Sequence, residues 1–126
     1  MRKGFTLLEL LLVVTVIGIL ISLALPAHTK NIEKSRAGEV IATLNLIRMA
    51  EKDYFLDNNV FTADIGNLNI DNPNNITNRY FDYTITSADA NNFSARATRR
   101  DGPYTGDYYT IDKNGAIDSS NGSFQL

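Results

Sequence analysis

Cysteine and tryptophan are absent from these 126 residues, and histidine occurs once, at His28. Without cysteine no disulfide can staple a loop, so an exported version of this chain must hold its ends by strand pairing and packing. A single histidine, with no Ser, His and Asp grouping and no paired carboxylates in a recognisable context, leaves little for acid–base or nucleophilic catalysis to use. The chain reads as non-enzymatic and needs no cofactor. A basic stripe is missing as well: the formal net charge is −2, and Arg96, Arg99 and Arg100 form only a small local patch. That balance argues against a dedicated nucleic-acid binder.

What the chain does have is concentrated at its start. Arg2, Lys3 and Gly4 precede Phe5-Thr6-Leu7-Leu8-Glu9, and from Leu10 the run LLLVVTVIGILISLAL continues to Leu25 before Pro26. An ordinary secretory signal carries a small-residue cleavage site after its apolar stretch, and none follows here. At about 1.5 Å per residue, Phe5 to Leu25 as a helix is about 30 Å long, the hydrocarbon thickness of a bilayer. The two cations before it set the short end in the cytoplasm and send the rest across.

Glu9 contradicts its surroundings. A carboxylate one turn into a spanning helix costs on the order of 2.5 to 3.5 kcal/mol, and more without a partner. Arg2 and Lys3 reaching back along the helix offer one compensation. Cleavage after Gly4 offers another, because the freed amine of Phe5 would be a cation able to neutralise Glu9 of its own helix or of an adjacent subunit. In the second case burial of Glu9 depends on assembly.

Lys3-Gly4-Phe5-Thr6-Leu7-Leu8-Glu9-Leu10 resembles the N-terminal signature of type IV prepilins and of the pseudopilins of type II secretion. The resemblance implies a leader of residues 1–4 that a membrane-embedded prepilin peptidase removes between Gly4 and Phe5, followed by methylation of the Phe5 amine. It implies that Glu9 registers each new subunit at the base of a growing filament. It also implies that the stretch from Gly18 to Pro26 unwinds on assembly; a simple bend at Pro26, which lacks an N–H and crowds the preceding turn, is the alternative. Loss of residues 1–4 removes two cations and lowers the formal charge from −2 to −4.

Beyond the apolar segment, residues 5–26, the pattern becomes amphipathic over 27–56. Val40, Leu44, Ile47 and Tyr54 form a stripe suited to face a sheet, while Ala42, Leu46, Met49 and Ala50 form a weaker one suited to neighbouring helices. Glu33 with Arg36, and Glu51 with Lys52, are expected on the solvated face. Residues 57–79 are dense in Asn, Gly and Pro and read as a surface loop pinned by Phe61, Ile65, Leu68 and Ile70. Strands are expected at Tyr80 to Thr86, Phe93 to Thr98, Tyr108 to Asp112 and Ala116 to Asp118, with Asn114-Gly115 as a type I′ turn. The fold class is α+β: a pilin fold in which the long N-terminal helix packs on an antiparallel head, 80–126, of three to four strands. Tyr54, Phe55, Tyr80, Phe81, Tyr83, Tyr108 and Tyr109 are core and seam fillers rather than an electron path. Asp112, Asn114 and Asp118 have the spacing of oxygen ligands for calcium, but no distal glutamate completes a loop, so polar turn residues explain them and no metal is assigned.

The expected function is that of a structural subunit of a type IV pilus-like filament, a homo-oligomer. Its expected partners are membrane lipid before assembly, prepilin peptidase and an inner-membrane assembly platform. It would be a single-pass inner-membrane precursor with its head outside the cytoplasm, later part of a cell-surface filament. A pseudopilin of a short periplasmic pseudopilus and a membrane-tethered binding module are the alternatives. Gly4→Val is expected to leave the chain at its precursor mass; a shift to the mass of a chain beginning at Phe5 would refute the assigned cut.

Overall fold

The computed structural model describes residues 4–126; the cationic pair Arg2 and Lys3 lies outside them. The elements in order are helix α1 (Leu7–Asn58), two short 3-10 turns (Ile65–Asn67 and Pro73–Asn75), and strands β1 (Phe81–Ala88), β2 (Phe93–Arg99), β3 (Tyr108–Asp112) and β4 (Ile117–Asp118). Contacts divide the chain into two units, Met1–Ser35 and Arg36–Leu126, and each is described by itself.

In the first unit α1 buries none of its apolar side chains: Leu7, Leu10, Ile17, Leu20 and Leu25 are all exposed, as is Phe5 just before it. Three of its hydroxyls turn back on the helix's own backbone. The Thr15 hydroxyl donates to Leu11 O, Ser22 to Ile19 O and Thr29 to Leu25 O, which leaves an outer surface that asks nothing of water. Gly18 and Pro26 lie inside an unbroken helix in the single chain, and the unwinding expected between them belongs to the assembled filament. Pro26 deletes one backbone hydrogen bond, and its neighbours retain helical geometry around the gap.

The head is an antiparallel meander in the order β1-β2-β3-β4, as the alternating pattern foretold. In β2 the inward positions are Phe93, Ala95, Ala97 and Arg99, and the outward ones Ser94, Arg96 and Thr98. The inner stripe of α1 is Ala37, Val40, Leu44, Ile47 and Glu51, at spacings of three and four, and its apolar members join one core with Phe81, Phe93, Tyr109 and Ile111. Each fully buried large side chain there contributes about 1.5–3 kcal/mol. Three expectations about this helix need correcting. Glu33, expected in solvent with Arg36, is buried. Ala50 is buried in the head rather than turned toward a neighbour, while Leu46 and Met49 remain exposed. Glu51, expected in solvent beside Lys52, is fully buried because it follows Ile47 by four residues and continues the inner stripe.

The connection after α1 is anchored as expected, with Phe61, Ile65 and Leu68 buried and Ile70 half-buried. Asp64 and Asn72 cap its two turns, accepting from Gly66 N at 2.8 Å and Asn74 N at 2.9 Å. Asn74 then covers the exposed edge of β1. Its Nδ2 donates to Tyr83 O at 2.7 Å and its Oδ1 accepts from Tyr83 N at 2.8 Å, satisfying two edge groups that would otherwise invite another strand.

The β3–β4 turn differs from the expected type I′. Gly115 N donates to Asp112 O, so Lys113 and Asn114 are the central pair; neither has a positive φ, whereas Gly115 does, at +87°. This is a type I-like turn followed by a left-handed glycine. The Asp112 side chain sets it one residue earlier by accepting from Asn114 N at 2.9 Å. Arg48 then donates to Lys113 O, and its guanidinium fills the space a Cβ on Gly115 would need.

Without a disulfide the C-terminal segment is held by a set of local bonds. Ser119 Oγ accepts from Leu126 N at 3.1 Å, Asp107 Oδ2 accepts from Ser123 N at 2.9 Å, and Phe124 packs on Tyr104. Gly122 lies flat against the Tyr109 ring, and a Cβ there would overlap the ring. Gly122→Ala is therefore expected to destabilise the head by about 1–3 kcal/mol. Gly106→Ala, at a positive φ with open space around it, should cost about 1 kcal/mol. Denaturant unfolding of the two variants distinguishes steric overlap from backbone strain, and equal losses would refute the packing argument.

Candidate functional site

The segment Gly4 to Thr6 precedes α1 in irregular backbone, and Phe5, Leu7 and Leu8 are among the most exposed side chains of the chain. The Gly4–Phe5 bond is thus outside the helix, in a stretch that can extend into a protease cleft. A Cβ on Gly4 would meet nothing within 4 Å and its φ is unexceptional. This chain's own fold does not require glycine there.

Thr6 and Glu9 have a local task that the reading of Glu9 as an isolated charge overlooked. Thr6 Oγ1 accepts from Glu9 N at 3.1 Å, and Thr6 O accepts the first helical bond, from Leu10 N at 3.0 Å. Thr6-Leu7-Leu8-Glu9 has the spacing of a capping box, a signal legible in the sequence. Glu9 is also the acidic residue of the first turn, where the positive end of the helix dipole favours a carboxylate. Geometry therefore puts Phe5 and Glu9 one turn apart at the end of a helix whose apolar surface is uncovered.

Gly18 and Pro26 lie farther along the same helix, away from this end. The calcium candidates Asp112, Asn114 and Asp118 flank one hairpin but are not assembled as ligands. Asp112 Oδ1 accepts from Asn114 N, and Asp118 Oδ1 accepts from Ser120 N at 2.8 Å. The backbone amide of Ser120 holds the Asp118 carboxyl below the usual range. Among the described residues no three His, Cys, Asp or Glu side chains are grouped to hold a metal ion. The three arginines of the expected basic patch are separated too. Arg99 is buried on the inner face, Arg96 lies on the outer face, and Arg100 pairs with Asp82 at 3.4 Å.

Within the head, Glu51 is the group with the most unusual environment. Its Oε2 accepts from Thr62 N at 3.0 Å and so ties the connecting loop to α1, while Oε1 is buried with no partner. Burial pushes this carboxyl above the usual range, and the Thr62 amide offsets part of the rise.

These features, a long helix with an uncovered apolar half and a head in which its other half packs on a four-stranded antiparallel meander, define the α+β pilin fold. A crystal structure of the non-core minor pilin PilV of Neisseria meningitidis is similar to it, with a TM-score of 0.56 and 22% identity, over 76% of this chain and 93% of that one. Residues 1–25 match the prokaryotic N-terminal methylation motif. The chain is 31% identical to the fimbrial protein EcpC of Eikenella corrodens over 79% of its own length and 63% of that protein. It is 29% identical to the type IV major pilin PilE of Neisseria gonorrhoeae over 64% of its length and 48% of PilE. It thus spans about half to two-thirds of the length of these relatives. Motif, fold and relatives together support a type IV pilin family assignment, and the relatives named are structural pilins, not enzymes.

The folded-state pKa of Glu51 lies above its ordinary value of 4.5, so the native head binds the extra proton first as pH falls. Wild type should gain stability relative to Glu51→Gln as pH drops from neutral toward 4.5, the gain levelling off below that value. Thermal unfolding of both proteins across that window checks it; a constant difference would refute a strained carboxylate.

Proposed function

We propose that the chain is a structural subunit of a type IV pilus-like surface filament, made as a membrane-anchored precursor and polymerised through α1. The observation that carries this reading is the exposure of every large apolar residue from Phe5 to Leu25 on a helix long and apolar enough to cross a membrane. Such a surface is stable in lipid or against other helices and nowhere else. Its relatives EcpC and PilE are a fimbrial protein and a type IV major pilin, consistent with the second environment.

In this proposal prepilin peptidase cleaves Gly4–Phe5, and methylation follows on the Phe5 amine. The head is outside the cytoplasm, directed there by Arg2 and Lys3. An assembly platform then moves each subunit from lipid into the filament, exchanging lipid contacts for helix packing, which supplies cohesion. Glu9 supplies register by meeting the freed amine of a neighbouring subunit, since an unpaired carboxylate in hydrocarbon is costly and a paired one much less so. Asp112 and Asp118 are engaged by the backbone amides of Asn114 and Ser120, in keeping with polar turn residues rather than a calcium loop.

Glu9 also takes part in capping, so its charge and its cap must be tested apart. Glu9→Gln keeps an N3 residue suited to a capping box but loses the charge. Both Glu9→Gln and Glu9→Ala are expected to insert, to be processed and to leave no filaments in the sheared surface fraction, read by mass spectrometry. Abundant filaments from Glu9→Gln would show that helix capping, not ion pairing, is the role of this residue. Loss of exoprotein release with intact surface fibres on deletion of the chain would instead establish the pseudopilus.

A further inference from the structure

The chain has two Asn-Gly pairs, Asn114-Gly115 and Asn121-Gly122, and both asparagines are exposed. In such a pair the glycine nitrogen can attack the side-chain amide carbon of the asparagine, because no Cβ obstructs the close approach of the backbone. The two pairs differ in how tightly the fold holds the reacting groups. Asn121 is pinned throughout: its Nδ2 donates to Ser120 Oγ at 3.2 Å, its carbonyl accepts from Tyr108 N, Gly122 N donates to Ser119 O at 3.0 Å, and the Tyr109 ring lies against Gly122. The side chain of Asn114 makes no hydrogen bond among the described residues. Only the bond from Gly115 N to Asp112 O, at 3.1 Å in an exposed turn, has to open before that nitrogen can face the amide.

The charges around the two pairs also differ in sign. The Arg48 guanidinium lies against Gly115, and Lys52 and Lys113 line a cavity of about 360 Å³ together with Asn114. Phe55 and Phe61, stacked with ring centroids 4.7 Å apart, form an apolar wall of that cavity, which weakens the screening of both ammonium groups. Two carboxylates oppose these three cations: Asp112 accepts from Asn114 N, and Asp89 is within electrostatic reach of Lys113. The balance at Asn114 is positive. At the other pair the charged groups bonded to the neighbouring amides are both acids, Asp118 at Ser120 N and Asp107 at Ser123 N. Attack requires the glycine nitrogen to lose its proton, and positive surroundings favour the anion that forms while negative ones oppose it.

We infer that Asn114 is a site of self-modification, at which the side-chain amide is lost through attack by Gly115 N while Asn121 persists. The reaction needs no cofactor. Gly115 N gives its proton to solvent and bonds to Asn114 Cγ; the Cγ–Nδ2 bond breaks and Nδ2 leaves as ammonia. One water then opens the cyclic imide, at Cγ to give aspartate or at the main-chain carbonyl to give isoaspartate. Water enters, ammonia leaves, and nothing is oxidised or reduced. Either product adds a negative charge at residue 114, beside Lys52 and Lys113. Isoaspartate also lengthens the backbone by a methylene inside the turn, which moves Gly115 off the Arg48 guanidinium. The change resides wholly in the head and does not depend on how, or whether, the chain polymerises.

The test is incubation of the full chain in detergent micelles at mildly alkaline pH. Samples are digested in acid, where the reaction stops, and fragmentation in the mass spectrometer places the amide-to-acid mass gain at residue 114 or 121. Asn114 is expected to convert about tenfold or more faster than Asn121. In a synthetic peptide of residues 108–126, which lacks the helix and the rest of the sheet, the two should convert at similar rates. Lys52→Glu, a reversal of charge at an exposed side chain, should slow Asn114 several-fold in the folded chain. Aspartyl and isoaspartyl peptides, separated by chromatography, should both appear. An Asn114 that survives while the peptide converts, equal rates for the two asparagines in the folded chain, aspartate without isoaspartate, or an unchanged rate in Lys52→Glu would each overturn the inference. The comparison of the two asparagines within the wild type needs no variant, and it decides the matter if Lys52→Glu does not fold.

Discussion

An apolar helix surface with nothing inside the chain to cover it is the constraint from which the rest follows. From Phe5 to Leu25 the side chains are aliphatic or aromatic apart from a few small polar residues whose hydroxyls are absorbed by the helix backbone. At about 25 cal/mol per Å² such a surface cannot remain in water, and the chain has no second hydrophobic element to fold over it. Cover must come from lipid or from other helices, and under the proposed function the subunit passes from the first to the second. A carboxylate at the head of that surface is costly in lipid without a partner, which is why the proposed function gives Glu9 a neighbouring terminus.

The head solves a separate problem, that of a small domain with no disulfide. Its core is a single cluster of helix and sheet residues, and the segments outside regular structure are fastened by individual polar contacts. Glu51 holds Thr62, Asn74 caps the edge of β1, Arg48 supports the β3–β4 turn, and Ser119 and Asp107 retain the C-terminal residues. The bonds of Asn74 and Ser119 are neutral and worth about 0.5–1.5 kcal/mol each, while those of Arg48, Asp107 and Glu51 involve charged groups. Glu51 differs from the other two, since a buried carboxylate with one empty oxygen costs stability at neutral pH while it positions the loop. Loop anchoring of this kind trades some stability for a defined loop path.

Residue patterns read directly off the chain determined the apolar and amphipathic halves of the helix, the four strands and their order, and the prepilin-like start, because each depends on periodicity or on a local motif. Even the capping role of Thr6 was present as Thr-x-x-Glu and needed only to be recognised. Tertiary structure decided the rest. Whether Ala50 and Glu51 face the core depends on where the sheet lies against the helix. The turn at Asp112 to Gly115 is shaped by Arg48, sixty-five residues before Lys113. Arg96, Arg99 and Arg100, a single basic cluster in sequence, are sent to different sides because a strand alternates its faces and the core claims every second residue. Local sequence specifies which elements form; only the packing of distant elements specifies which side chains are left exposed, paired or free.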